Sequence, residues 1–293
     1  WLKHCQRYGD GRIHGSVITN ACVSGRCSHR NPNMAQIPRV GQPYGGECRG
    51  LFHAPTGWRQ VGCDASGLEL RCLGSSLSYF DGGEYSKLVS TEGFDIHTHN
   101  AKLFGIYDGQ GTIEKRIREQ AKTLIYAVLY GAGPQKLGTI VAPSLSERKQ
   151  KEIGYETIDT FYKNLPAIKK LKDKVDEKVT QRGYLIGIDG RHLQIRSRHS
   201  ALNQLLQSTG SLCVKKATCI LYEDCKENHL RWGIHYAFVA HIHDEIQALV
   251  KPQHVSLYKK LAIDCFKKSG EYFYLKCPMT GEAREGKNWM ETH

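Results

Sequence analysis

Nowhere in its 293 residues does the chain hold an apolar run near the ~18 residues a membrane helix needs, so no such span is expected. It also lacks any CxxC pair. Its eleven cysteines are an odd, scattered set, closest at Cys22 and Cys27, Cys213 and Cys219, and Cys219 and Cys225. Those spacings fit neither a zinc knuckle nor a disulfide framework, so reduced, mostly buried thiols in a cytosolic compartment are expected. The opening Trp1-Leu2-Lys3-His4 has neither an initiator Met nor a signal-peptide pattern, and a chain cut from something longer is the expectation. No internal repeat or low-complexity linker interrupts it. Acidic residues are in deficit: 29 Asp and Glu against 41 Lys and Arg leave a formal charge of +12 and a pI near 9.1. That excess fits a polyanionic partner, because basic surface steers and holds a phosphate backbone. It describes ribosome-associated proteins, histone-like proteins and many plain enzymes equally well.

What is present suffices for a core, with 40% hydrophobic and 9% aromatic residues. Residues 1–63 are rich in Gly, Pro and Asn and read as short strands and turns, "GRIHGSV" alternating like a strand. "WRQVGCDASGLELRCLG" reads as a strand passing through a tight turn into a helix, with Ser66 and Glu69 in capping-box spacing. From Thr112 to Tyr130, Ile117, Ala121, Leu124, Ile125 and Val128 form one helical stripe, stopped by Gly131-Ala132-Gly133-Pro134. A charged helix over 145–165 and another after Pro166 follow, the second with Ile168, Leu171, Val175 and Val179 inward and Gly183 at its end. "YLIGIDGRHLQIRS" predicts a hairpin with a two-residue Asp189-Gly190 turn. A long helix over 200–224 precedes "HYAFVAHIHDEIQALV", two apolar strands around a polar His243-Asp244-Glu245 turn. A helix near 253–269 and short strands close the chain. With helices in the middle and strands at both ends, the middle reads as an insertion between two halves of one sheet domain.

Three constellations carry chemistry. Arg118, Lys122, Tyr126 and Tyr130 are spaced by four. The first three span an arc of only ~80° and rise ~12 Å along a helix, roughly opposite the apolar stripe. That length matches a nucleoside triphosphate, with two cations for phosphate and an aromatic for sugar or base. A solvated basic face carrying two packing tyrosines has the same spacing. Second, Asp64 and Asp244 each end an apolar strand. Phosphoryl transfer favours two divalent ions ~3.5–4 Å apart, and carboxylates on adjacent strands could bridge them. A turn aspartate and a polar hairpin tip are the alternatives for each taken singly. Third, Asp95-Ile96-His97-Thr98-His99-Asn100 contains an HxH of the kind found in metal-dependent hydrolases. Those need it at the end of a buried strand in a repeating βα barrel, whereas here "VSTEGF" precedes it and no βα repeat follows.

At these residues a specific resemblance emerges. "DASGLELR", "RIREQAKTLIYAVLYGAG" and "HIHDEIQ", in this order, are similar to motifs A, B and C of family A (Pol I-like) DNA polymerases. "DIHTHN" and "ALNQLLQSTG" resemble the replicative bacteriophage branch, and the likeness runs from about Trp1 to the C-terminus. It implies an α+β fold: a polymerase palm with an antiparallel sheet plus a helical fingers subdomain. Residues 1–75 would be the first part of the palm with motif A, with a possible end of a thumb at the N-terminus. Residues 76–199 would be fingers with motif B, and 200–293 the second part of the palm with motif C.

The implied function is template-directed DNA synthesis, adding deoxynucleoside triphosphates to a primer 3′-hydroxyl with two Mg²⁺ ions, for which Mn²⁺ can substitute. Asp64, Asp244 and the Ala65 carbonyl would hold the metals. Arg118 and Lys122 would grip the triphosphate, Lys122 as a catalytic cation, with His97 contributing from the side. Tyr126 would pack on the sugar, Tyr130 would stack near the templating base, and Glu69 would exclude a ribose 2′-hydroxyl. Arg26, Asn203, Gln207, His243 and Glu245 would contact primer–template. Minor-groove donors suit a copying enzyme, because purine N3 and pyrimidine O2 occur at every correct pair. The implied partners are primer–template DNA and dNTPs, with a thumb or exonuclease portion upstream of Trp1 or a processivity factor bound by it, and no membrane. The implied location is the cytoplasm, that of the host cell for a viral protein. Two other readings are a single-subunit RNA polymerase, against which Glu69 in D-x-S-x-x-E argues, and a catalytically inactive nucleic-acid-binding remnant.

Overall fold

The computed structural model describes residues 9–292. In chain order its regular elements are β1 (Ser16–Ile18), β2 (Ser28–Arg30), α1 (Gly45–Gly50), β3 (Arg59–Ala65), α2 (Leu68–Asp81), α3 (Glu84–Ser90), α4 (Ile96–Leu103), α5 (Lys115–Leu129) and α6 (Pro134–Val141). There follow α7 (Glu147–Asn164), α8 (Pro166–Arg182), β4 (Tyr184–Ile186), β5 (His192–Gln194), α9 (Ala201–Glu227), β6 (Tyr236–Ile242), β7 (Glu245–Val250), α10 (Val255–Tyr272) and β8 (Gly281–Gly286). The fold is therefore mixed helix and antiparallel sheet, as expected. It divides into two compact units, one of residues 1–68 with 208–293 and one of residues 69–207. The expected end of a thumb falls partly on residues 1–8, outside the described residues. No helix among the described residues is long and apolar enough to cross a membrane.

The first unit is organised by a four-stranded antiparallel sheet of order β6-β7-β3-β8, which joins strands from both ends of the chain. Strand periodicity of two assigns its faces. Val61 and Cys63 pair with Ala248 and Ile246 and, with Ala65, line a buried apolar face, where the Cys63 thiol donates to the Ala262 carbonyl of α10 at 3.3 Å. The other face carries Gln60, Gly62 and Asp64 beside Gln247 and Glu245. Gly62 is required there: an added Cβ would lie 2.3 Å from Gln247 Nε2 and 2.7 Å from the Thr292 carbonyl. β6 is an edge strand, with a register shift between Phe238 and Ala240 that breaks the regular pairing an edge otherwise offers to other chains. Most described cysteines are buried, and Cys22 and Cys219 are the exposed ones.

The second unit is mainly helical. α5 buries Ala121, Leu124, Ile125 and Leu129, so the apolar stripe does face inward. The sequence does not announce α1, α3, α4 and α6, whose short spans leave apolar periodicity little room. In α6, Pro134 is not only a stop. It occupies the first helical turn, where its missing N–H costs nothing. α6 and α7 touch backbone to backbone, an added Cβ at Gly138 lying 1.6 Å from the Gln150 carbonyl. The β4–β5 hairpin also differs from expectation. Gly187 and Arg191 close a three-residue loop, with a 3.0 Å turn bond from Gly190 N–H to the Gly187 carbonyl and Gly190 at φ +81°. This is the type I turn with a left-handed third residue that three-residue loops favour.

Candidate active site

In the sheet unit, strand pairing unites residues nearly two hundred positions apart. Asp64 lies directly opposite Glu245 on β7 and Glu282 on β8. The Ala65 N–H donates to the Asp244 carbonyl at 3.0 Å, which sets Asp244 one step beyond the Asp64–Glu245 pair. Asp64 is exposed between buried Cys63 and Ala65, and Asp244 is half-buried. Both carboxylates thus sit at one end of the same sheet, as the metal hypothesis needs. The expected three-residue polar turn is shorter than predicted, His243-Asp244 only, with His243 in the left-handed region at φ +56° and Glu245 already in strand β7. Glu245 is 3% exposed, and its carboxylate accepts from Trp289 Nε1 at 2.7 Å and from Gln247 Nε2. This carboxylate is a support beneath the turn rather than a surface group.

Hard oxygen donors are the right kind for Mg²⁺, which takes one or two carboxylates and completes its shell with waters and substrate phosphates. Asp64, Asp244 and the Ala65 carbonyl fit that pattern. Among the described residues, no three His, Cys, Asp or Glu side chains form a closed protein cage for a metal.

Around the turn lies a group of imidazoles. The rings of His29 and His243 meet edge to face with centroids 6.4 Å apart, and His241 is the last residue but one of β6. Burial holds all three below the ordinary histidine range, aided at His243 by the charge of Arg26. Arg26 itself is half-buried, in a loop that Lys215 of α9 clamps by donating to the Thr19 and Gly25 carbonyls. Nothing in the local sequence pattern marks Lys215 or Trp289, because each acts on a segment remote in the chain.

In the helical unit the predicted face is present on α5. Lys122 is exposed, Tyr126 half-buried and Tyr130 47% exposed, with the two tyrosine rings 6.3 Å apart. The Tyr130 hydroxyl is 3.0 Å from both carboxylate oxygens of Glu69. In the first unit the Ser66 N–H donates to the Thr280 carbonyl. Asp95 is the N-cap of α4, accepting from the His97 N–H at 3.1 Å and the Thr98 hydroxyl at 2.6 Å. It also takes Arg118 in a fork, Nε at 2.7 Å and Nη2 at 3.1 Å. Burial alone would raise the Asp95 carboxyl, but the Arg118 guanidinium, Thr98 and His97 outweigh it and bring it down to about 2. His97 is held low by burial and by the charges of Arg118 and Lys122. HxH is therefore part of a helix that opens on a capping aspartate, which removes the strand-end placement a barrel hydrolase requires. Asn203 and Gln207 are half-buried one turn apart in α9.

The arrangement matches known proteins closely. The model of DNA polymerase family A matches residues 1–291. The chain is 38% identical to the DNA-directed DNA polymerase of Enterobacteria phage T3 over the whole chain, which corresponds to 42% of that polymerase's length. It is 37% identical to the DNA-directed DNA polymerase of Escherichia phage T7 over the same shares. Less than half the length of these curated relatives is thus spanned. The fold resembles the POL domain of Pol1 from M. smegmatis, solved in complex with DNA primer-template and dNTP, with a TM-score of 0.81 and 20% identity, covering 96% of this chain and 49% of that one. With paired motif A and motif C carboxylates on one sheet, a motif B helix of the expected spacing, and a family match over nearly every residue, this chain belongs to DNA polymerase family A.

Proposed function

We propose that residues 1–293 carry the nucleotidyl-transfer centre of a template-directed DNA polymerase, the first unit serving as palm and the second as fingers. The observation that carries this reading is the pairing of β3 with β7, which sets Asp64 and Asp244 at one sheet end through the Ala65–Asp244 bond. Asp64, Asp244 and the Ala65 carbonyl would hold two divalent ions, Mg²⁺ or Mn²⁺, which supply activation of the primer 3′-hydroxyl and charge neutralisation at the leaving phosphate. Arg118 and Lys122 bind the triphosphate, His97 adds a neutral imidazole beside them, and Tyr126 packs on the sugar. Lys122 would also neutralise charge that develops during transfer. Tyr130 holds Glu69 by its hydroxyl, which fixes the carboxylate that excludes a ribose 2′-hydroxyl. Arg26, Asn203, Gln207 and His243 contact the primer–template, and Glu245 supports the turn from beneath.

The phage relatives support action in the cytoplasm of an infected host. Their greater length supports a further portion that grips DNA or a processivity factor.

Asp64→Asn and Asp244→Asn test the reading. Each removes a metal ligand and no packing group, so primer extension should fall by ~10³-fold or more while primer–template binding persists. Near-normal extension by either variant overturns the two-metal assignment. Preferential incorporation of ribonucleotides by the unmutated protein would turn the reading toward RNA synthesis.

A further inference from the structure

Behind the carboxylate pair lies a buried polar network, of which the mechanism above uses only Glu245. Trp289 is 3% exposed and packs with Ile37 and Ile242. Its indole N–H donates to Glu245 Oε1 at 2.7 Å, while the Arg49 guanidinium lies over its ring at 4.5 Å. Gln247 donates to the same Glu245 oxygen and accepts from Gln60 Nε2 at 2.8 Å and from the Thr292 hydroxyl at 3.1 Å. Residues 287–292 are themselves anchored, with backbone bonds from Ala54 N–H to the Lys287 carbonyl and from Trp289 N–H to the Phe52 carbonyl. One segment therefore spans the polar face of the sheet and ends on the residue next to Asp244.

The neighbouring cation makes that contact consequential. Arg49 is 4% exposed, and its Nη1 is buried without a hydrogen-bond partner, 4.0 Å from Glu245 Oε2. A buried carboxylate that loses a donor must find another, because an unsatisfied buried acceptor keeps its full desolvation penalty. Without the indole N–H, Glu245 has the unpaired Nη1 of Arg49 within a small rotation, while Arg49 Nε stays on the Pro38 carbonyl at 2.9 Å. Taking it would shift the first residue of β7 and with it the His243-Asp244 turn. We infer that Trp289 is a positioning residue for nucleotidyl transfer, acting through Glu245 to hold Asp244 against β3. This rests on the polymerase reading above.

The test is Trp289→Phe in the full chain, because Phe keeps an aromatic ring and removes the indole N–H. Single-turnover incorporation should slow by roughly tenfold, the usual size of an effect transmitted to a metal ligand by its supporting partner. The Mg²⁺ concentration for half-maximal rate should rise, while the dNTP KM holds. In a Glu245→Gln background the same substitution should add little. An unchanged Mg²⁺ requirement, or an equal rate loss in both backgrounds, overturns the proposal and leaves Trp289 a packing residue. Should W289F fail to fold, Gln247→Met removes a second donor to Glu245, and an unchanged Mg²⁺ requirement there overturns it equally. If the unmutated protein extends no primer, the polymerase reading fails first. An active parent with an indifferent variant refutes only the role of Trp289.

Discussion

The two units set out their candidate site residues by opposite routes. In the helical unit, Arg118, Lys122, Tyr126 and Tyr130 are set out by the pitch of one helix, and they stand largely at the surface. In the sheet unit, Asp64 and Asp244 meet only because β3 pairs with a strand nearly two hundred residues away, over a buried network of Gln60, Gln247, Glu245 and Trp289. A helix-face site can be altered one residue at a time with little effect on folding. A sheet-end site shares its supports with the core, so changes there should reach stability and chemistry together.

The largest effect is expected from breaking the sheet side at Gly62. Its missing Cβ leaves room for Gln247 and the Thr292 carbonyl. Gly62→Ala should lower stability by about 1–3 kcal/mol or more, as overpacking of a rigid interior does, and extension should fall with it. Thermal unfolding and primer extension measured on one preparation will show whether the two losses travel together. Unchanged Tm with full activity would remove the contrast between the units.

On the helix side the losses should separate. Lys122 is exposed, so Lys122→Ala should leave the Tm within a degree or two (surface substitutions lie within about 0.5 kcal/mol). The incorporation rate should nevertheless drop by roughly 10²-fold, the usual scale for losing a charge aimed at developing negative charge. A large Tm loss would show that this face is structural after all.

Asp95→Asn is the intermediate case. It loses the charged fork to Arg118 and weakens the N-cap of α4, so the dNTP KM should rise several-fold, on the scale of one charge-assisted hydrogen bond discounted for exposure. The pH dependence has a definite sign. The folded carboxyl lies at about 2, below its ordinary 3.8, so its stabilisation is fully present above that ordinary value and is lost as pH falls toward 2. Unfolding curves of parent and variant should therefore converge between about pH 4 and pH 2. A gap that stays constant through that window would contradict the ion pair.

The smallest effect is expected at Tyr130. Tyr130→Phe frees the Glu69 carboxylate from its hydroxyl partner at an exposed position, so discrimination against ribonucleotides should relax by only a few-fold, ~1 kcal/mol or less. Paired incorporation assays with dNTP and rNTP would detect it. No change in the ratio would mean that Glu69 is fixed by other contacts.

Sequence alone determined what depends on near neighbours. The stripe of α5 and its outward cationic face follow from 3.6-residue periodicity, and α8 ends at Gly183, which adopts φ +75° as a helix C-terminus favours. The motif carboxylates were legible too, because each ends a recognisable apolar strand. Short helices such as α4 and α6 were not, since eight residues hold too few apolar positions to show a period. Only the tertiary structure decided which strands pair, and so which face Asp64 shares with Glu245 and Glu282. It alone turned Glu245 from a polar tip into a buried support, bound Arg118 to Asp95, and laid Trp289 across the sheet. The physical reason is that local propensity fixes a backbone's conformation, while the partner of a side chain is set by whatever distant segment burial brings against it.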